Sequence, residues 1–328
     1  MTAGTYPRLL GDIGGTHARF GWIEASGAPI GSIRQYGCRD HDGLDAVIRV
    51  YLQDEQRPMP PACAIGIATT PHGDRVAMTN LHWSFSIDEM QRRLGLQHFV
   101  VVNDFATLAL AVPQLDPDEL RRVGGGDGLA DAPLAILGAG TGLGVAGLLP
   151  RPPHRWLPIV GEGGHATLSA ADTVDAQLIA LLRERWEHVS AERVLSGQGL
   201  VNLYQADCRL HGDAAEELSP SDIVARALQR EDGRCVETVE RFCGFLGSFA
   251  GNLALTLGAQ GGVYIGGGIV PRLGARFAES VFRARFEAKG RFGSYLARIP
   301  TWVITAGPSA ALRGASQALD DRLDLSVR

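Results

Sequence analysis

Two glycine-rich turns more than a hundred residues apart set the tightest limit on how this chain folds: Leu10-Gly11-Asp12-Ile13-Gly14-Gly15-Thr16 and Gly138-Ala139-Gly140-Thr141-Gly142-Leu143-Gly144. Each follows one apolar run and precedes another, so each reads as the tip of a β-hairpin rather than a strand-to-helix loop. Glycine lets the backbone come close to an anion and take positive φ, turning amide N–H groups outward, while Thr16 and Thr141 add hydroxyl donors. Two such tips can grip one polyphosphate from both sides. Asp12 places a carboxylate beside the first tip, suited to a water-mediated contact with magnesium. One tip alone is equally well a plain tight hairpin. The pair, with Asp12 and two threonines, points to a nucleotide.

The usual nucleotide motifs do not account for these turns. No lysine follows either one at the place that G-x-x-x-x-G-K-[ST] requires, and the second lacks the third glycine that opens a helix in a dinucleotide fingerprint. At 328 residues the chain is long enough for two domains, each with its own apolar core. A formal charge of −5 and the absence of a dense basic run argue against a nucleic-acid surface. The five cysteines, Cys38, Cys63, Cys208, Cys235 and Cys243, are scattered and unpaired in spacing, which suggests reduced thiols in the cytoplasm. No apolar stretch is long enough to span a bilayer, and no leader segment is expected before the first strand.

Along the chain, Arg8 to Ile13, Ala18 to Glu24 and Ile30 to Tyr36 read as an antiparallel meander. A helix carrying Leu44, Val47, Ile48 and Tyr51 follows, then strand Cys63 to Ala68, helix Asp88 to Leu94 and strand Phe99 to Val102, giving βββαβαβ. Arg121, Arg122 and Gly124 to Gly128 read as a polar connector. The opening theme then repeats, with strands Leu134 to Leu137, Gly142 to Leu148 and Arg155 to Val160. Helices are expected over Thr173 to Trp186, from Ala191, from Leu200, over Asp222 to Leu228, and over the long apolar stripe Val236 to Leu257. Gly262 to Gly268 is a buried strand running into a glycine turn, Thr301 to Ala306 a last strand, and a closing helix follows from Pro308. That last strand and helix are expected to return to the first domain. The boundaries are residues 1–113 plus 306–328 for a small α/β domain and 114–305 for a large one.

A meander with a D-x-G-G-T turn, a second meander with a G-x-G-T-G turn, and a late strand ending in Gly266-Gly267-Gly268 resemble the α/β, two-lobed actin-like ATPase (ribonuclease H-like) fold, with a cleft between a small and a large domain. Within that superfamily the chain resembles the proteobacterial glucokinases. The resemblance is carried by Gly11 to Arg19, Val76 to Asn80, Val102 to Phe105, Gly138 to Val145, Gly161 to His165, Glu192 to Gly197 and Ile265 to Pro271. It implies that Gly11, Asp12, Ile13, Gly14, Gly15, Thr16, Gly138, Gly140 and Thr141 bind the ATP phosphates, with Gly266, Gly267 and Gly268 on the nucleoside side and Mg2+ near Asp12 through water. It further implies glucose as substrate, held by Asn103, Asp104, Glu162, His165 and Glu192, and a homodimer. The chemistry this resemblance implies is ATP-dependent formation of glucose 6-phosphate, with Asp104 as general base.

Each of these residues also has a plainer reading. Asp104 could cap the helix starting at Phe105, Glu162 and His165 could belong to a solvated surface turn, and Glu192 could be an early-turn acid on a helix dipole. The chain departs from the family at His17, in place of asparagine, at Thr69 to Asp74, at Gln198, and at Ala306-Gly307-Pro308-Ser309. Two other functions fit the same fold: a sugar-responsive sensor or regulator with weak catalysis, and a kinase for another hexose or an amino sugar. The amino-sugar kinases commonly carry a cysteine-rich zinc loop, and no cysteine lies between Cys63 and Cys208.

Overall fold

The computed structural model describes residues 5–78, 81–151, 155–307 and 309–326. The Thr79-Asn80 end of the V-A-M-T-N segment and Pro308 lie outside those residues. The chain forms two units, one made of Met1–Asp116 with Ala306–Arg328 and the other of Pro117–Thr305.

In the first unit, β1 (Arg8–Ile13), β2 (His17–Ile23) and β3 (Gly31–Gly37) form the antiparallel meander, followed by helix α1 (Leu44–Asp54) and β4 (Ala62–Ile67). A small hairpin of β5 (Arg75–Ala77) and β6 (Ser84–Ser86), absent from the βββαβαβ expectation, precedes α2 (Ile87–Leu94) and β7 (His98–Asn103), which runs into α3 (Asp104–Ala111). The sheet order is β3-β2-β1-β4-β7, with β1, β4 and β7 parallel. Successive residues of a strand point to opposite faces. Leu9 accordingly enters one core with Ile48, Tyr51 and Met90, while Leu10 enters another with Ala64, Leu312 and Leu319. Burial on both faces explains why β4 reads as an unbroken apolar run and why Leu9 and Leu10 stand side by side in β1.

The second unit repeats the scheme. After β8 (Leu120–Arg122), the strands β9 (Leu134–Ala139), β10 (Leu143–Arg151) and β11 (Arg155–Gly161) form a second meander. Helices α4 (Thr173–Arg183), α5 (Gly197–His211), α6 (Pro220–Gln229) and α7 (Gly233–Leu257) precede β12 (Gly262–Gly266). Three short helices, α8 (Ala275–Glu279), α9 (Phe282–Glu287) and α10 (Gly293–Leu296), lead to β13 (Thr301–Ile304). The sheet order is β11-β10-β9-β12-β13-β8, with β9, β12 and β13 parallel.

Two expectations are corrected here. The polar connector contains an edge strand, because Leu120–Arg122 pairs antiparallel with β13. Its glycines are packed: Gly125 and Gly128 have positive φ, and a Cβ at Gly125 would strike the Ile299 carbonyl. The last strand does not return to the first unit either, since β13 pairs with β12 inside the second. Only helix α11 (Ser309–Ser326) packs on the first sheet. It crosses α3 so closely that a Cβ on Gly314 would run into the Thr107 carbonyl oxygen, while Thr107 also fills the space opened by Gly66. Helix α3 is thereby held between β4 and α11.

Candidate active site

In the first unit, parallel register brings three chain turns to one sheet edge. Ile13 stands level with Ile67, and Ile67 with Asn103, so β1, β4 and β7 end together. Ala68 N–H donates to the Ile13 carbonyl at 2.9 Å, and Asn103 Nδ2 donates to the Thr69 carbonyl at 3.5 Å. At a strand spacing of about 4.8 Å, the chain positions from which the Gly14–Thr16 turn and Asp104 leave the sheet are about 10 Å apart. This is the carboxyl edge, where open α/β sheets take their ligands.

The helix-cap reading of Asp104 needs correction. The cap of α3 is Asn103, whose Oδ1 accepts from Phe105 N–H at 2.9 Å, and Asp104 is the first helical residue, with its own Oδ1 accepting from the same N–H at 2.9 Å. A carboxylate at the first turn faces the positive end of the helix dipole. The Thr107 hydroxyl donates to the Asp104 carbonyl at 2.7 Å and fixes the turn. Both Asn103 and Asp104 are half-buried.

Asp12 lies two residues before the first turn, with its carboxylate 3.2 Å from Arg19 Nη1, while Arg19 Nε donates to Gln35 at 2.8 Å. Burial raises the Asp12 pKa and Arg19 opposes that rise. The turn itself is closed by Gly14 N–H donating to the His17 carbonyl at 2.9 Å, with Thr16 and His17 exposed. Gly14 and Gly140 do not use the left-handed backbone region foreseen for them; Gly267 does, at φ +82°. A Cβ on Gly140 would meet nothing within 4 Å, so nothing in the chain itself requires glycine there. An open backbone at that tip suits close approach by a ligand.

In the second unit, Gly138 on β9 pairs with Gly266 on β12, so the G-x-G-T-G turn and the triple-glycine turn leave the same edge side by side. A Cβ on Gly267 would collide with the Ala139 backbone, and Ile269 N–H donates to the Ala139 carbonyl at 3.3 Å. Strand β11 runs parallel to β9 through β10, so Glu162 emerges at this edge too. The short 3-10 turn Gly163–His165 packs against β10, where a Cβ on Gly164 would strike the Leu143 carbonyl.

Glu192 is an acid in a first turn, as its plainer reading has it, but its carboxylate is also engaged across the chain. It lies in the 3-10 turn Ala191–Arg193, and its Oε2 accepts from Leu143 N–H at 2.8 Å. Gly142 makes room for it, because a Cβ there would overlap the Glu192 carboxylate. The Ser196 hydroxyl donates to the Glu192 carbonyl at 2.8 Å while capping α5, and Gly197 N–H donates to the Gly140 carbonyl at 2.8 Å. One set of hydrogen bonds thus joins Glu192 to the second glycine turn. His165 and Glu192 line a cavity of about 330 Å³ together with Trp186, Glu187, His188, Ser190 and Arg193; Arg193 lies over the Trp186 ring at 4.8 Å. The sequence reading missed Gly142, Ser196 and the Trp186–His188 wall. For Gly142 and Ser196 the available signal was the small residues flanking Glu192 and Leu143.

A Gly142→Ala variant should therefore act through Glu192. Its added methyl displaces the carboxylate from Leu143 N–H, at a cost of about 1.5–3 kcal/mol for one hydrogen bond to a charged group. Thermal unfolding checks this, and a midpoint equal to that of wild type would contradict the coupling.

Among the described residues no group of three or more His, Cys, Asp or Glu side chains is placed to hold a metal ion. Magnesium needs no such cage, being held by one or two carboxylates plus substrate phosphates, and Asp12 offers one carboxylate beside the first turn. No helix among the described residues is long and apolar enough to cross a membrane.

A meander-plus-parallel-strand sheet built twice, each copy with a glycine turn at its carboxyl edge, is the plan of the α/β actin-like ATPase fold. A family model described as glucokinase matches residues 9–322. The chain is 52% identical over 320 residues to a glucokinase of Aromatoleum aromaticum, covering 97% of this chain and 96% of that one. It is 48% identical over 318 residues to a glucokinase of Chromobacterium violaceum, covering 97% and 90%. The solved structure of a glucokinase from an Antarctic psychrotroph matches with a TM-score of 0.86 at 35% identity, covering 96% and 99%. The chain belongs to the glucokinase family.

Proposed function

We propose that this enzyme transfers the γ-phosphoryl group of ATP to the 6-hydroxyl of glucose, with Asp104 as general base. The sugar oxygen forms a bond to the γ-phosphorus, the bond from that phosphorus to the β–γ bridging oxygen breaks, and the hydroxyl proton passes to the Asp104 carboxylate. Asn103, Glu162, His165 and Glu192 bind and orient the sugar hydroxyls; a polar site of this kind rejects analogues lacking one of them. The turns Gly14 to Thr16 and Gly140 to Thr141, with both threonine hydroxyls, hold the phosphates, and Gly266 to Gly268 lie against the nucleoside; Gly11 to Ile13 and Gly138, expected to join them, are paired on both sides within β1 and β9 and support the turns from the sheet. Mg2+, held by Asp12 through water, supplies charge neutralisation on the phosphates when bound.

The observation that carries this reading is the level ending of β1, β4 and β7, which puts the Gly14–Thr16 turn and Asp104 on one sheet edge. The test is a coupled assay of the purified protein with glucose, ATP and magnesium beside mannose, fructose and N-acetylmannosamine. Turnover greatest with glucose supports the proposal. Glucose binding by calorimetry without turnover would favour a sensor instead, and turnover greatest with N-acetylmannosamine an amino-sugar kinase. A homodimer working in the cytoplasm is part of the same proposal, and light scattering checks its mass.

A further inference from the structure

Beneath the first glycine turn lies Cys38, fully buried and outside every motif described above. Its backbone N–H donates to the Thr16 carbonyl at 2.9 Å, and its Sγ donates to the Gly14 carbonyl at 3.4 Å. One residue therefore grips the turn at two carbonyls, two positions apart. The backbone contact continues the pairing of β2 with β3, in which His17 faces Gly37. The thiol contact is made by the side chain alone and belongs to no ladder.

The consequence follows from peptide geometry. In a planar trans peptide the C=O and the N–H of the next residue point in opposite directions. Drawing the Gly14 carbonyl down toward Cys38 turns the Gly15 N–H the other way, away from the core. Gly14 N–H is engaged with the His17 carbonyl at 2.9 Å, so Gly15 N–H is the next donor along the turn. We propose that Cys38 is a positioning residue for nucleotide binding, its thiol holding the Gly14–Gly15 peptide so that the Gly15 amide points at a phosphate oxygen of ATP. This rests on the reading of Gly14 to Thr16 as a phosphate turn. The thiol suits the task because Cys38 lies in the apolar core with Ile13, Ala18 and Phe20. A sulfur-borne proton is a weak donor that tolerates such surroundings better than a strongly hydrated group.

The test is steady-state kinetics with ATP and glucose varied separately, on wild type, Cys38→Ala, Cys38→Ser and Gly15→Pro, alongside thermal unfolding. Cys38→Ala should raise KM for ATP about 3- to 10-fold, as expected for one modest hydrogen bond, with KM for glucose within about twofold of wild type. Cys38→Ser, which retains a donor, should restore KM for ATP to within about threefold. A purely structural role would instead lower the unfolding temperature without separating the two KM values, and that outcome overturns the proposal. If Cys38→Ala does not fold, the serine variant decides: a folded Cys38→Ser with KM for ATP raised more than tenfold rules the thiol donor out. Gly15→Pro removes the amide itself. If it raises KM for ATP while Cys38→Ala does not, Cys38 fails and the phosphate turn stands; if neither changes KM for ATP, the phosphate-turn reading fails as well.

Discussion

Asp104→Asn should lower kcat for glucose phosphorylation by about 10²- to 10⁴-fold, the range in which a positioned general base contributes. Asparagine keeps the size of the side chain and its oxygen, so the contact with Phe105 N–H at 2.9 Å is retained. The cap of α3 is unaffected because Asn103 supplies it. Folding and both KM values should therefore stay near those of wild type, and only the capacity to accept the hydroxyl proton is lost. A coupled assay at saturating glucose and ATP, with a thermal unfolding curve for each protein, measures the two parts independently. A loss below tenfold in a fully folded variant would remove Asp104 from the role of base.

The second large effect concerns stability and lies away from the site. Asp175 on α4 is 1% exposed, accepts from Ala171 N–H at 3.0 Å, and pairs with Arg285 of α9. Arg285 also reaches Asp172 at 2.8 Å and donates to Ser248 on α7 at 3.1 Å, so three helices meet at one guanidinium. Removing one side of a buried pair costs about 3–5 kcal/mol when the other charge is left alone, and because Asp172 still faces Arg285 the lower end, about 3 kcal/mol, applies here. Asp175→Ala should accordingly lower the unfolding midpoint by roughly 6–12 °C, at 2–4 °C per kcal/mol for a unit of this size. Scanning calorimetry tests it. At temperatures where the variant is folded its kcat should match wild type, and a midpoint within about 2 °C of wild type would show that Asp172 and Ser248 satisfy Arg285 unaided.

Much of the architecture could be read from the chain alone. Strand β1 was expected over Arg8 to Ile13 and is found there, and α1 and α4 begin where Leu44 and Thr173 predict. Apolar runs bounded by glycine turns, and the stripe from Val239 to Leu257, carry their own periodicity, which local sequence suffices to display. The helices α8, α9 and α10 went unforeseen because they are only 5, 6 and 4 residues long, too short for a period to show. Helix α9 is held by a contact between distant segments: Gly247 and Gly251 open the surface of α7, so that a Cβ at Gly247 would strike the Phe282 carbonyl and one at Gly251 would come within 2.5 Å of the Phe286 carbonyl. The strand Leu120–Arg122 was read as connector for a related reason, since three residues become a strand only when β13 lies beside them.

At the candidate site the same boundary holds. Residue types and spacing were enough to single out the glycine turns and Asp12, because glycine pairs beside a carboxylate are visible one motif at a time, whereas Asn103, Asp104, Glu162, His165 and Glu192 came forward only through the resemblance to the family. Which of Asn103 and Asp104 caps the helix, and why Gly142 is glycine, depended on atoms brought together by folding. Glu192 and Leu143 are 49 positions apart, yet one carboxylate oxygen takes the other's amide proton. Cys38 reaches Gly14 across 24 positions, and its thiol acquires a partner only because β3 is laid against β2. Backbone conformation and amphipathic pattern are properties of neighbouring residues and survive in the linear code. Hydrogen-bond partners across a turn belong to the packed chain, where register and close approach select one acceptor among many.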